Sequence, residues 1–107
     1  MNPSERMLFD IAAGMAYEIE LVKTGVREPR AVAVRSVCAR ALRLAGFSTT
    51  ETARMVGLTS HTSISTAVTR VIEGMYDGVV PNGDANQYAK DAVARMREGR
   101  SHETRAD

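Results

Sequence analysis

The chain of 107 residues lacks tryptophan and has only five aromatic residues, three prolines and one cysteine. A core with so few aromatics must use Val, Ile, Leu, Met and Ala, which favours packed helices over a β-sandwich. The single Cys38 excludes an internal disulfide and a cysteine-based metal knuckle, and a reducing compartment is its default setting. No apolar run approaches the ~18 residues that span a bilayer, and no signal-peptide pattern is present. We therefore expect a cytoplasmic protein without a membrane partner.

The charged residues are unevenly distributed along the chain. The net charge is only +1, but residues 25–75 carry seven arginines against three glutamates, while the segments on either side are net negative. All seven cations of the central segment are arginines, whose fork of N–H donors suits phosphate oxygens and base edges better than a lysine does. A basic centre between acidic flanks favours a nucleic-acid partner.

Helix start and stop signals predict an all-α fold of about five helices and no strand. Asn2-Pro3-Ser4-Glu5, Ser48-Thr49-Thr50-Glu51 and Asp84 with Gln87 have the pattern of helix N-caps, and Gly25, Gly46 and Gly99 are placed to end helices. Residues 1–99 are expected to form a single helical domain, and residues 100–107 a disordered tail. The predicted helices cover about residues 3–24, 29–45, 48–56, 60–75 and 84–99.

The apolar stripes predict which helix faces are buried. In the second predicted helix, Arg35, Arg40 and Arg43 fall largely off the stripe and are expected to face solvent or a phosphate. Gly14, inside the first predicted helix, indicates a close crossing with a neighbour. The predicted inner face of the fourth helix consists of Ile64, Val68, Val71, Ile72 and Met75.

A short helix, a turn with glycine and a longer helix over residues 48–75 have the pattern of a helix-turn-helix. Counting from Thr49, Ala53 and Gly57 fall on the fifth and ninth positions, where this motif commonly has Ala and Gly. The small Ala lets the two helices cross closely, and Gly permits the positive φ of the bend. Ile64 and Val68 come seven and eleven positions after the glycine, so the turn is slightly longer than usual.

The motif resembles the C-terminal DNA-binding domain of the DnaA replication initiator family. That signature has Ser, Glu three later, Gly six after that, then Asp-His-Thr-Thr-Val with Ala three further on. The resemblance covers about residues 30–73 and implies a helix-turn-helix of the DnaA or tryptophan-repressor kind. The matching positions, without a gap, are Ser48, Glu51, Gly57, His61, Thr62, Ser63, Ile64 and Ala67.

The resemblance implies that Ser60, His61, Thr62 and Ser63 reach base edges in the major groove. Ser60 stands where the family has Asp, so an acceptor for a cytosine amino group is lost and the site read should differ from the usual DnaA box. Thr66 stands on the same face in place of a common His or similar polar residue.

The family also uses basic residues ahead of the motif for backbone and minor-groove contacts. Arg30 and Arg40 are the candidates here. The phosphate loop of an initiator is missing, because no glycine of the chain is followed directly by lysine, so ATP hydrolysis is not expected.

The residue types alone, without the resemblance to the family, indicate the same DNA-binding face. Thr62, Thr66 and Thr69 point away from the predicted inner face, flanked by Ser65 and Arg70. Threonine and serine can hydrogen-bond to either kind of base edge, and the threonine methyl packs on a thymine methyl. β-Branched residues are poor formers of an exposed helix, which favours a functional reason for their presence.

No catalytic or metal-binding pattern accompanies this face. The acidic residues share no convincing cleft with a histidine or nucleophile, and His61, His102 and Cys38 do not form a ligand set. We therefore expect no enzyme activity, cofactor or metal.

The sequence thus predicts a sequence-specific double-stranded DNA-binding protein, a transcriptional regulator associated with the nucleoid. A replication or phage-type accessory factor, a DNA-packaging small terminase subunit, and a protein-binding helical module without a DNA role are the alternatives. Expected partners are duplex DNA, a second copy through the first and fifth predicted helices, and a further domain or the transcription machinery.

Overall fold

The computed structural model describes residues 1–58 and 61–105, and their side chains except those of His61 and residues 100–105. Over these residues the protein is helical, with a short 3-10 turn at Asp77–Val79 and no strand, which confirms the all-α prediction. There are six α-helices in this part of the chain: α1 (Pro3–Gly14), α2 (Ile19–Lys23), α3 (Pro29–Leu44), α4 (Thr49–Met55), α5 (His61–Ile72) and α6 (Ala85–Arg105).

Helix α3 is the centre of the fold, because each of the other five helices packs against it. The middle of α3 is buried on nearly all sides. Small side chains alternate there with branched ones and let the neighbouring helices approach closely. The fully buried side chains of α3 include Val34, Val37, Cys38, Ala41 and Leu42.

The local capping predictions are confirmed. The Asn2 side chain accepts from the Glu5 amide at 2.8 Å, and Ser48 and Glu51 form a reciprocal capping box. Asp84 accepts from the Gln87 amide at 3.0 Å. Each bond satisfies an amide that the first turn of a helix leaves without a partner.

The first predicted helix is wrong in extent: it is two helices, α1 and α2. Ala16 has a φ of +57°, the Ala16 amide bonds to the Ala13 carbonyl at 3.0 Å, and the Tyr17 amide bonds to the Ala12 carbonyl at 2.9 Å. This is a Schellman cap with alanine where glycine is usual. The apolar stripe continues across the break, so periodicity alone could not reveal it.

Gly14 confirms the expected close crossing. A Cβ at Gly14 would overlap the hydroxyl of Tyr88, which donates to the Ile11 carbonyl at 3.0 Å. Tyr88 thereby joins α6 to the last turn of α1 and satisfies its own buried hydroxyl.

Helix α5 ends earlier than predicted. Gly74 has a φ of +84°, and the Met75 amide bonds back to the Arg70 carbonyl at 3.1 Å, which closes the helix at Ile72. Ile72 and Met75 are therefore 52% and 62% exposed and do not belong to the inner face. That face is formed by Ile64, Ala67 and Val71, with Val68 half-buried.

Helix α6 runs through Gly99 to Arg105, past the predicted helix end at Gly99, whereas the disordered tail expected over residues 100–107 stays a prediction. A glycine inside a helix costs only about 1 kcal/mol relative to alanine, which the surrounding helical residues can offset. Residues 106 and 107 lie outside the described part of the chain.

Arg35 is the largest departure from the predicted faces, because it is buried, with 4% exposure. Its Nε donates to the Val22 and Val56 carbonyls at 3.3 and 3.2 Å, and its Nη2 to the Val22 and Val26 carbonyls, both at 2.8 Å. These carbonyls lie at the ends of α2 and α4 and in the loop after α2. Helix C-termini leave such acceptors without partners and attract a cation, which is why an arginine can be buried here.

The ends of α2 and α4 are also in direct backbone contact. Gly57, with a φ of +77°, follows α4, and a Cβ at this position would overlap the backbone of Lys23 at the end of α2. Gly57 is therefore needed both for its conformation, as predicted, and for this close approach.

Substituting Arg35 by methionine should destabilise the fold. The change keeps an apolar stem but removes the Arg35 donors from the carbonyls of Val22, Val26 and Val56, of which Val22 keeps its bond from the Gly25 amide at 3.3 Å. Each buried carbonyl left unpaired costs about 1–3 kcal/mol. We expect the free energy of unfolding in urea to fall by about 3 kcal/mol or more. The exposed Arg54→Met is the matched control and should change it by less than about 0.5 kcal/mol. Equal effects of the two substitutions would contradict a buried role for Arg35.

Gly57→Ala should cost more than Gly83→Ala, although both glycines have positive φ. Nothing lies within 4 Å of a Cβ at Gly83, so only the backbone strain of about 1–2 kcal/mol applies there. Gly57→Ala adds the overlap with Lys23, and we expect a loss of about 3 kcal/mol in the same unfolding experiment. If both variants lose the same amount, the contact between α2 and α4 is not tight.

Candidate nucleic-acid interface

The outer face of α5 presents polar side chains to solvent. Thr62, Ser65, Thr66 and Thr69 are all exposed, on the side of the helix opposite Ile64 and its buried neighbours. This confirms the predicted orientation of the threonine face. Ser63 and Arg70 are exposed beside it. Ser60 lies outside the described residues, as does the side chain of His61.

A groove of about 500 Å³ runs between α5 and the first half of α3, closed at one end by the segment after α2. Its polar lining combines hydroxyl groups with guanidinium groups. The hydroxyls belong to Ser36, Thr62, Ser63 and Thr66, and the guanidiniums to Arg27, Arg35 and Arg70.

The groove is electropositive, since the described part of its lining includes three arginines and no carboxylate. Within the described side chains, Arg27 and Arg70 form no ion pair; the pairs found are Arg6 with Asp10 at 3.3 Å and Lys23 with Glu20 at 3.6 Å, both elsewhere. Burial lowers the pKa of Arg35, and the neighbouring charge of Arg27 lowers it further. Like charges thus lie close together here without a counterion.

The two arginines expected ahead of the motif lie away from this groove. Arg30 is exposed and lines a different groove, on the side of α3 that faces Met75 and Val79. Arg40 is half-buried, and its Nε donates to Asn86 Oδ1 on α6 at 2.9 Å. The fold does not bring either of them to the threonine face.

Sequence reasoning missed Arg27 and Ser36 as neighbours of α5. Arg27 lies in the loop after α2, and Ser36 lies on α3 next to Arg35. Only the packing of α5 against α3 brings them to Thr62 and Thr66. The surplus of arginine in residues 25–75 indicated a positively charged surface, but it did not indicate which face of the fold carries the charge.

The residues of the proposed motif have the geometry expected of them individually. Ala53 is buried, α4 packs against α5, and Gly57 has its positive φ. Residues 59 and 60, which join the two helices, lie outside the described part of the chain. The helix-turn-helix therefore stays a prediction.

A metal site and a reactive thiol are two other kinds of chemistry that the described residues could offer. No group of three or more His, Cys, Asp or Glu side chains there could hold a metal ion. Cys38 is fully buried, and burial raises the pKa of its thiol to about 12, which keeps the thiol protonated at neutral pH. Among the same residues no helix is both long and apolar enough to cross a bilayer.

Comparisons of the chain with protein-family models, with curated proteins and with solved structures find no match. The resemblance to the DnaA family therefore rests on the motif residues alone.

Proposed function

We propose that the chain binds double-stranded DNA sequence-specifically and acts as a transcriptional regulator, with α4 and α5 as a DnaA-like helix-turn-helix. The observation that carries the proposal is the juxtaposition on one surface of the α5 threonine face and a groove with three arginines and no carboxylate. Nucleoid association follows from the same proposal.

Helix α5 is suited to the major groove by its size and its outer face. Its 12 residues span about 18 Å, and the major groove is about 12 Å wide and admits one helix. In this arrangement the hydroxyls and methyls of Thr62, Thr66 and Thr69 meet base edges. Arg70, at the end of the same helix, and Arg27 reach the flanking phosphates, which hold the helix in register.

A replication or phage-type accessory factor would use the same surface, and so would a DNA-packaging small terminase subunit. The oligomerising alternative has one observation in its favour: Met75 and Val79 are exposed apolar side chains on a common groove. A second copy could instead pack on α1 and α6, as the sequence predicts. A mass measurement in solution separates these: a ring of about eight or more copies favours packaging, and a monomer or dimer favours regulation.

Duplex binding should weaken steeply with salt. Each phosphate contact contributes about −0.9 to the slope of log K against log salt concentration. With Arg27 and Arg70 in contact, we expect a slope of about −2 or steeper in fluorescence anisotropy with labelled duplex. Arg70→Ala should flatten the slope by about 0.9, whereas Arg30→Ala, on the other side of α3, should leave it unchanged. A flat salt response of the unmodified chain would remove the DNA-binding proposal.

Thr62 should determine specificity, whereas Arg70 should contribute affinity only. A duplex site is first selected from a random pool, and affinities are then measured for that site and for scrambled DNA at fixed salt. Thr62→Ala should reduce the ratio of the two affinities by about fivefold, because a base-edge contact is worth about 1 kcal/mol or more. Arg70→Ala should lower both affinities and keep their ratio.

Thr62→Ser is the matched variant for the specificity test, since it retains the hydroxyl and removes only the methyl. Thr62→Ser should reduce the ratio of the two affinities only if the base pair that residue 62 contacts in the selected site contains thymine. If Thr62→Ala leaves the ratio intact while Arg70→Ala changes it, α5 is not the helix that reads the bases.

A further inference from the structure

The guanidinium of Arg35 is only partly satisfied by protein groups. Nε and Nη2 bond to backbone carbonyls, but Nη1 makes no hydrogen bond, and the side chain borders the groove between α3 and α5. Among the described side chains, no carboxylate pairs with this buried charge. A cation removed from water without a counter-charge is costly, and an anion arriving at its free edge would lower that cost.

Arg27 and Arg70 add two further guanidiniums to the same groove. Both are exposed, and neither forms an ion pair within the described residues. The nearest acidic neighbours in sequence do not neutralise them: Glu28 accepts a hydrogen bond from the Tyr17 hydroxyl, and Glu73 does not line the groove. Three like charges around one space repel each other until an anion occupies it.

Hydroxyl donors complete the groove. The Ser36 hydroxyl donates to the Val32 carbonyl at 2.8 Å, so its proton is already in use. Thr62 and Thr66 on α5 line the same groove, and both residues are exposed. Several guanidinium forks together with hydroxyl groups match the several oxygens of a phosphate better than a halide or a single carboxylate.

We infer that the groove between α3 and α5 is a binding site for phosphate, held by Arg27, Arg35 and Arg70. The inference goes beyond duplex recognition, because it rests on the groove alone. Two sources share this chemistry: a phosphate of a DNA backbone and a free phosphate-bearing small molecule. The volume of about 500 Å³ accommodates either one.

The test is a titration of the full chain with inorganic phosphate, in which the amide shifts are followed by NMR. Phosphate replaces chloride in the buffer, so the ionic strength stays constant. Saturable shifts are expected at Gly25 and Gly57, which border the groove. Arg27→Ala and Arg70→Ala should each weaken the apparent affinity about tenfold, since a hydrogen-bonded ion pair is lost. Both side chains are exposed, so these variants should fold. Arg30→Ala is the matched control and should leave the affinity unchanged.

Shifts that do not saturate would overturn the site. An equal loss of phosphate affinity in Arg30→Ala would also overturn it, because phosphate would then respond only to the diffuse positive charge of the protein. A second arm adds a short duplex to the phosphate-saturated protein. Displacement of phosphate assigns the groove to a backbone phosphate, and simultaneous binding assigns it to a free phosphate-bearing ligand; either result retains the site. Absence of duplex binding with saturable phosphate binding would remove the proposed DNA function and retain the site.

Discussion

The hydrogen bonds of Arg35 to three backbone carbonyls join α3 to the end of α2, the end of α4 and the loop after α2. None of these three segments, all within the described residues, belongs to a strand or a long helix. One guanidinium donates hydrogen bonds to backbone carbonyls of all three. A carboxylate-bound arginine would fix only one side chain, whereas this one fixes main chain from separate segments. Arg35 therefore helps to fix where α4 ends relative to α3.

This arrangement also explains how the candidate interface is formed. Helix α5 follows the end of α4, so the junction that Arg35 and Gly57 hold places α5 beside α3. The same guanidinium then forms part of the groove next to Thr62 and Thr66. Structural support and charge at the surface are thus supplied by one side chain, and a change there should affect both.

The parts of the fold that follow from local chemistry were predictable, and those that follow from tertiary contact were not. The capping box at Ser48, the exposed threonines and the buried Cys38 could be read from residue type and period. The break at Ala16 could not, because alanine carries no signal for a left-handed conformation. The burial of Arg35 and the position of Arg27 depend on carbonyls and helices distant in sequence, which no periodicity reports.

Cys38, buried at the centre of α3, has a consequence for the redox behaviour of the protein. It is the only cysteine of the chain, it has no exposure to solvent, and burial keeps its thiol protonated. A disulfide between two copies would require the core to open first, so mild oxidants cannot cross-link the folded protein through this residue. Two folded copies are therefore not expected to associate through a disulfide at Cys38.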